Sequence, residues 1–278
     1  MIWPAEDLWL ALAAKQPHLT VEVLPEIDST NTELMRRARA GHTEPVLLVA
    51  EVQTAGRGRL GRPWHGEAGH ALTFSLGLML KPADWSGLSL AVGLSLARSL
   101  DSQGDLGVRL KWPNDLWVKR PSLSTPTATQ WGKLAGILIE TALPAGMSPA
   151  GDQGRFCVVG VGINIAPPLA DGLSTAPLGL QDLQSGITAP EALMRVAEPL
   201  LAMLLAFERT GFAPLQQAFN ARDALHNLNV TLSDGRQGLA RGVDHTGALL
   251  VDTEQGQETV SSAEVSVRPV EATKKEEP

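Results

Sequence analysis

Three glycines and three arginines alternate through Gln53-Thr54-Ala55-Gly56-Arg57-Gly58-Arg59-Leu60-Gly61-Arg62-Pro63-Trp64. Glycine lets a backbone curl around a ligand and leaves its N–H groups free. Arginine adds fixed charge in a planar fork that suits phosphate and carboxylate. Such a loop is built to receive an anion; the bland alternative is a flexible surface loop with incidental arginines. Gly56, Gly58 and Gly61 satisfy G-x-G-x-x-G, but Arg62-Pro63-Trp64-His65-Gly66 follows, which does not open the helix a dinucleotide-binding turn needs. Gly-Lys-Ser/Thr is missing, so this is not a Walker loop.

Four other constellations can carry chemistry. Lys111-Trp112-Pro113-Asn114-Asp115 delivers a lysine at a strand end, then presents an amide and a carboxylate on a turn. Asn114 and Asp115 equally suit residues that hold their own backbone. In Gly132-Lys133-Leu134-Ala135-Gly136-Ile137-Leu138-Ile139-Glu140 a lysine starts an apolar strand and Gly136 permits close approach of a ligand. A solvated strand end is the alternative for Lys133. In Val158–Ile165, Gly160 and Gly162 leave one face of a buried strand bare, for a flat ligand or for tight packing. Asp28-Ser29-Thr30-Asn31 caps a helix and has hydroxyls and an amide to spare for a polar ligand head.

The elements that position these residues are legible from periodicity. Pro4–Lys15 reads as a helix with Leu8, Trp9 and Leu12 on one face. Val21–Leu24, Val46–Gln53, Leu72–Leu80, Lys133–Leu143 and Phe156–Ile165 read as strands. Thr30 and Glu33 have capping-box spacing at the start of a second helix, which Gly41 stops. Leu88–Leu100 is a buried helix. Val108–Trp112 and Leu116–Lys119 flank a hairpin turn. Thr188 and Glu191 form a second capping box. The helix they open runs to about Arg209, with Leu193, Val196, Leu200, Leu204 and Phe207 inward and Gly211 at its end. A short helix around Leu215–Arg222 follows. Beyond Ala224, short strands at Asn229–Leu232, Gln237–Val243, Ala248–Val251, Glu258–Val260 and Val265–Val267 predict a small β-barrel. Arg120–Gln130 is a polar Pro/Ser/Thr-rich insertion, and Pro144–Gly154 is a Gly/Pro-rich loop.

The 278 residues suffice for one large domain and a small module; 44% are hydrophobic and 19% charged, as in a soluble globular protein. A net charge of -7 argues against a general nucleic-acid or anionic-membrane surface. The arginine loop is therefore a local positive site. Cys157 is the one cysteine; it sits in an apolar run and reads as a small buried hydrophobe. No intramolecular disulfide is possible, which points to the cytoplasm. Neither a signal-peptide pattern nor a bilayer-spanning apolar run is present.

Taken in order, Ser29-Thr30-Asn31, the Gln53–Trp64 loop, Lys111–Asp115, Gly132–Leu138 and Gly160-Val161-Gly162-Ile163-Asn164 resemble the biotin protein ligases (biotin–acetyl-CoA-carboxylase ligases). The resemblance spans roughly Ile27 to Val267. It implies an α+β fold with a mixed, mostly antiparallel sheet and flanking helices, the class II synthetase-like catalytic domain, plus an SH3-like β-barrel. Residues 1–224 would be the ligase domain, 225–270 the barrel and 271–278 a disordered tail. It also implies activation of biotin by ATP to biotinyl-5′-AMP, with Mg²⁺, then transfer of biotin to one lysine of a biotin carboxyl carrier protein. By similarity, Lys133, Arg59, Asp115 and Lys111 form the catalytic set, with Asp115 orienting or deprotonating the incoming lysine. Ser29, Thr30, Asn31, Gln53, Gly56, Arg57, Trp64, Lys133, Gly136, Gly160 and Gly162 would surround biotin. Arg57, Arg59, Arg62, Trp64, Asn114, Lys133, Asn164 and Arg268 would surround the adenylate.

Some family members carry an N-terminal helix-turn-helix domain and repress transcription. Ser29-Thr30-Asn31 lies too near the start of this chain for one, so a ligase without DNA binding is expected, as a monomer or homodimer. Two other readings compete. Lipoate or octanoate ligases share the fold but lack the arginine loop and the Lys-Trp-Pro-Asn-Asp run. A sensor that sequesters biotinyl-adenylate without transfer would not need Lys133 and Asp115.

Overall fold

The computed structural model describes residues 1–121, 129–144, 154–168, 176–261 and 267–269. Most of the 120–130 insertion and of the Pro144–Gly154 loop, the tail at 271–278 and Val265 lie outside the described residues.

The chain runs α1 (Ala5–Ala13), β1 (Thr20–Ile27), α2 (Thr30–Arg39) and β2 (Val46–Gln53) before the arginine loop. β3 (Ala71–Leu80), α3 (Leu88–Leu100), β4 (Val108–Lys111), β5 (Asp115–Pro121), β6 (Thr129–Ala142) and β7 (Arg155–Asn164) follow. A two-residue strand, β8 (Ala176–Pro177), precedes α4 (Ala189–Thr210) and α5 (Gln216–Asn220). The C-terminal strands are β9 (Asn229–Leu232), β10 (Gln237–Val243), β11 (Leu249–Thr253), β12 (Gly256–Val260) and β13 (Val267–Pro269).

The large sheet has the order β1-β2-β3-β7-β6-β5-β4, with β8 beside β6. Only β1–β2 and β6–β8 pair in parallel, so the sheet is mixed and mostly antiparallel, as expected. Its two faces differ because side chains alternate along a strand. On β7, Cys157, Val159, Val161 and Ile163 join the main core with α1, α3 and α4. On the other face α2 buries Leu34, Met35 and Ala38 against Val46, Leu48, Phe156 and Val158. That second face, where small residues replace apolar ones towards the arginine loop, is where the site forms.

Helix ends follow local chemistry. Thr188 and Glu191 make the expected capping box, and Leu193, Val196, Leu200, Leu204 and Phe207 are buried. At α2 the expectation fails by one residue. Ser29 is the cap and accepts from the Thr32 N–H at 3.4 Å, while Glu33 pairs with Arg36 and Arg37. Thr30 is thereby left for other contacts. Trp9 is 46% exposed rather than on the buried face, because α1 turns only Leu8 and Leu12 inward.

The C-terminal strands pair in the order β12-β11-β10-β9-β13, an open antiparallel sheet. The expected barrel is corrected accordingly: among the described residues no pairing joins β12 to β13. This sheet is tied to the large one. Leu110 bonds the Arg222 carbonyl and the Ala224 N–H, each at 2.8 Å. The buried Trp112 donates from Nε1 to the Gly247 carbonyl at 3.1 Å, linking the Lys111–Asp115 segment to the turn before β11. Among the described residues no helix is long and apolar enough to cross a membrane.

Candidate active site

Strand register assembles the cationic centre. Asp115 pairs with both Lys111 and Gly136, so the three share a face. Regular pairing would then set Trp117 against Leu134. A register shift sets it against Lys133 instead. The bulge turns the lysine onto the Asp115 face and leaves Leu134 in the core. Lys133 Nζ lies 2.7 Å from Asp115 Oδ1 and 5.8 Å from the centroid of the Trp64 ring. The Asn164 amide donates to the Lys133 carbonyl and to the Leu178 carbonyl, each at 3.1 Å, which steadies this bend.

Lys111 is only 8% exposed and sits 5.5 Å from the centroid of Trp117. Burial pushes its ammonium down to about 8; Lys133, Arg59 and Arg62 push the same way, and Asp115 opposes them. Burial likewise lowers the Arg59 guanidinium, again against Asp115. Lys133 pairs with Asp115, Lys111 and Arg59 feel its charge, and the exposed Arg62 adds positive charge beside Lys111 and Arg59. Asn114 works on the backbone: its side chain donates to the Ile137 carbonyl at 2.7 Å, and its carbonyl accepts from the Ile137 N–H at 3.0 Å. The turn carries a cis Trp112–Pro113 bond. A half-open cavity of 430 Å³ adjoins the turn, lined in part by Arg59, Ser86, Pro113, Ile139 and Gly247. It contains neither Lys133 nor Asp115, so it borders the centre without being it.

The arginine loop closes on itself. Gly58 N–H reaches the Arg62 carbonyl at 2.7 Å and Trp64 N–H the Gly56 carbonyl at 2.8 Å. Leu60, at its tip, is 59% exposed and has a left-handed φ of 56°, a sparsely populated backbone region for leucine. Arg59 and Arg62 add their charge at Lys111. Arg57 turns the other way, with Nη2 at 3.3 Å from both Glu140 oxygens. The bare face of β7 is filled by side chains. A Cβ on Gly162 would lie 2.3 Å from Trp64 Cε2, and one on Gly160 would lie 2.1 Å from Asn31 Oδ1. Trp64 Nε1 is buried there without an acceptor among the described residues.

A polar cluster lies beside these glycines. Thr30 donates to Gln53 Oε1 from its N–H at 2.7 Å and its hydroxyl lies 3.1 Å from the same oxygen. Ser75 Oγ lies 2.7 Å from Thr30 Oγ1 and 2.6 Å from Asn31 Oδ1. The Asn31 amide donates to the Leu138 carbonyl at 3.1 Å and to Glu140 at 3.0 Å. Two hydroxyl protons thus serve three oxygen–oxygen contacts, so the cluster is one donor short.

The structure brings together Thr30, Asn31 and Gln53 in this cluster, and Arg59, Arg62, Lys111, Asp115 and Lys133 in the cationic centre. Ser29 is spent on its helix cap. The Arg268 side chain lies outside the described residues; its backbone pairs with Thr231. Ser75 and Glu140 were not singled out from the sequence. Ser75 was legible as a polar residue breaking the apolar strand Leu72–Leu80, and Glu140 ended a motif already in view. Cys157 is fully buried and its thiol is pushed up to about 12 by burial, which suits packing rather than catalysis.

Residues 23–161 match the Biotin/lipoate A/B protein ligase family, and residues 229–268 match the Biotin protein ligase C terminal domain. The chain belongs to this ligase family. It is 34% identical over 262 residues to the Bifunctional ligase/repressor BirA of Escherichia coli, covering 91% of this chain and 75% of the relative. To the Biotin--[acetyl-CoA-carboxylase] ligase of Mycobacterium tuberculosis it is 34% identical over 264 residues, 88% of each chain. The fold superposes on the biotin protein ligase from Aquifex aeolicus in complex with biotin and ATP with a TM-score of 0.72, at 26% identity over 90% of this chain and 99% of that one. The match to both the catalytic and the C-terminal family regions bears out the resemblance read from the motifs.

Proposed function

We infer that this chain is a biotin–[acetyl-CoA-carboxylase] ligase. It activates biotin with ATP to biotinyl-5′-AMP and pyrophosphate, then transfers biotin to a lysine of a biotin carboxyl carrier protein. The observation that carries this reading is the gathering of Arg59, Lys111 and Lys133 about Asp115, with Arg62 beside Lys111, next to the polar cluster of Thr30, Asn31, Gln53 and Ser75.

The chemistry needs both parts. A carboxylate attacking an α-phosphate must approach a polyanion, and fixed cations in a sheltered site offset that repulsion. We assign Lys133 to the biotin carboxylate and α-phosphate, and Arg59 and Arg62 to the phosphates. Arg57, released from Glu140, would join them. The donor-poor cluster suits a ligand that brings N–H groups, as the ureido ring of biotin does and the dithiolane of lipoate does not. Gly160 and Gly162 keep the sheet low beneath this region, with Trp64 covering it; Gly56 and Gly136 let the loop and β6 approach. Asn114 and Asn164 hold the turn and the Lys133 strand that face the nucleotide. Ser29 serves through the α2 cap, and we assign Arg268 to the nucleotide by analogy alone.

Among the described residues no three of His, Cys, Asp and Glu converge to hold a metal. Mg²⁺ would come with ATP and would offset the charge of its phosphates. We divide the chain into a ligase domain, 1–224, and a C-terminal module, 225–270, and place it in the cytoplasm. The test is ATP-dependent labelling of a recombinant carrier domain, read by intact mass. A single biotinyl increment on one lysine is expected. Tight biotin binding with no increment would favour the sensor reading.

A further inference from the structure

We propose that Lys111 is the base that takes the proton from the acceptor lysine in the transfer step. The proposal rests on the ligase reading above and assigns one step within it. Lys111 lies at the end of β4, opposite Asp115. It is buried, its ammonium sits against the Trp117 ring, and no carboxylate lies within ion-pair distance of it among the described residues. Asp115, the other candidate, is bound to Lys133 at 2.7 Å. Its Oδ1 is already engaged by an ammonium.

The groups facing Lys111 are Asp115 from β5, Lys133 from β6, and Arg59 and Arg62 from the loop. Burial and the three cations bring its amine to about 8, against the one carboxylate. An amine in that range holds a useful fraction of free base near neutral pH, the match a general base requires. The π face of Trp117 then receives the protonated product. In the step itself, the acceptor nitrogen forms a bond to the biotinyl carbonyl carbon. The carbonyl–phosphate C–O bond breaks, and AMP leaves with the electron pair on its phosphate oxygen. The proton lost by the nitrogen goes to Lys111 Nζ and from there to solvent.

The experiment is single-turnover transfer from purified biotinyl-5′-AMP to a carrier domain, followed from pH 6 to 10. Biotin-dependent pyrophosphate exchange on the same preparations reports the first half-reaction. The wild-type transfer rate should rise with pH through a limb near 8. Asp115→Asn removes the one neighbour that raises the Lys111 amine, so its limb should move to lower pH. Loss of the limb in that variant would make Asp115 the base and overturn the proposal. Lys111→Arg keeps the charge but cannot deprotonate. It should lose the limb and lower transfer at least tenfold more than exchange. Equal losses in both half-reactions, or a limb retained in Lys111→Arg, would contradict the assignment. Absence of exchange in the wild type would instead remove the ligase reading itself.

Discussion

Lys133 and Asp115 are adjacent because one extra residue in β6 breaks the register, and that adjacency makes both informative to mutate. Lys133→Gln removes the cation that pairs with Asp115 at 2.7 Å. Losing one fixed electrostatic stabiliser of a transition state costs about 10²–10³ in rate. Biotin-dependent pyrophosphate exchange should fall by that factor; a loss under fivefold would place Lys133 outside the chemistry. Gly162→Ala would push a Cβ to within 2.3 Å of Trp64 Cε2. The indole must move, since a real Cβ contact is never so short. We expect preformed biotinyl-5′-AMP to be released at least tenfold faster, measured by filter binding. An unchanged half-time would show that Trp64 does not cover the intermediate. At this scale the motifs were legible, because glycine, arginine and lysine types announce anion binding. The bulge, Ser75 and the Glu140–Arg57 pair were not, because each depends on which strand lies alongside.

Secondary structure was legible where periodicity and caps agree. β2, α3, β9 and β10 have the bounds read from the sequence, and the Thr188 cap is as expected. The errors have local causes. Ser29 and Thr30 both suit an N-cap, and only the fold gives Thr30 a competing partner in Gln53. A row of short strands does not reveal whether its ends meet, so the sequence suggests a barrel where the structure has an open sheet. The two caps separate stability from function. Thr188→Ala and Ser29→Ala should each cost about 1 kcal/mol, read from urea unfolding. Ser29→Ala alone should also raise the KM for biotin, because α2 carries Thr30 and Asn31 into the polar cluster. An equal rise in KM for Thr188→Ala would contradict that division.

Across the whole molecule, Asp223 lies in the segment that bridges the ligase sheet to the C-terminal one. Its Oδ2 is buried without a hydrogen-bond partner among the described residues. Burial raises its carboxyl to about 6, against bonding from the Leu225 N–H and the pull of His226. A carboxyl raised in the fold binds a proton on folding between about pH 4 and 6. Its contribution to stability therefore falls as pH rises through that window and stays low above it. Asp223→Asn keeps the Leu225 bond and removes the buried charge. It should stabilise the protein by about 1–3 kcal/mol at pH 7.5 and by much less at pH 4.5. A difference that does not change with pH would exclude Asp223 as the cause. Arg59, Lys111 and Lys133 form a local positive site on a chain of net charge -7, so ATP should also be drawn to that centre less strongly as salt rises.

On the proposed function, the arginine loop and the Lys111–Asp115–Lys133 cluster adenylate biotin. The most direct test is exchange of labelled pyrophosphate into ATP, with biotin and lipoate as parallel substrates and no carrier present. Exchange that requires biotin and is absent with lipoate is the expected result. Exchange with lipoate alone, or with neither despite tight biotin binding, would contradict it.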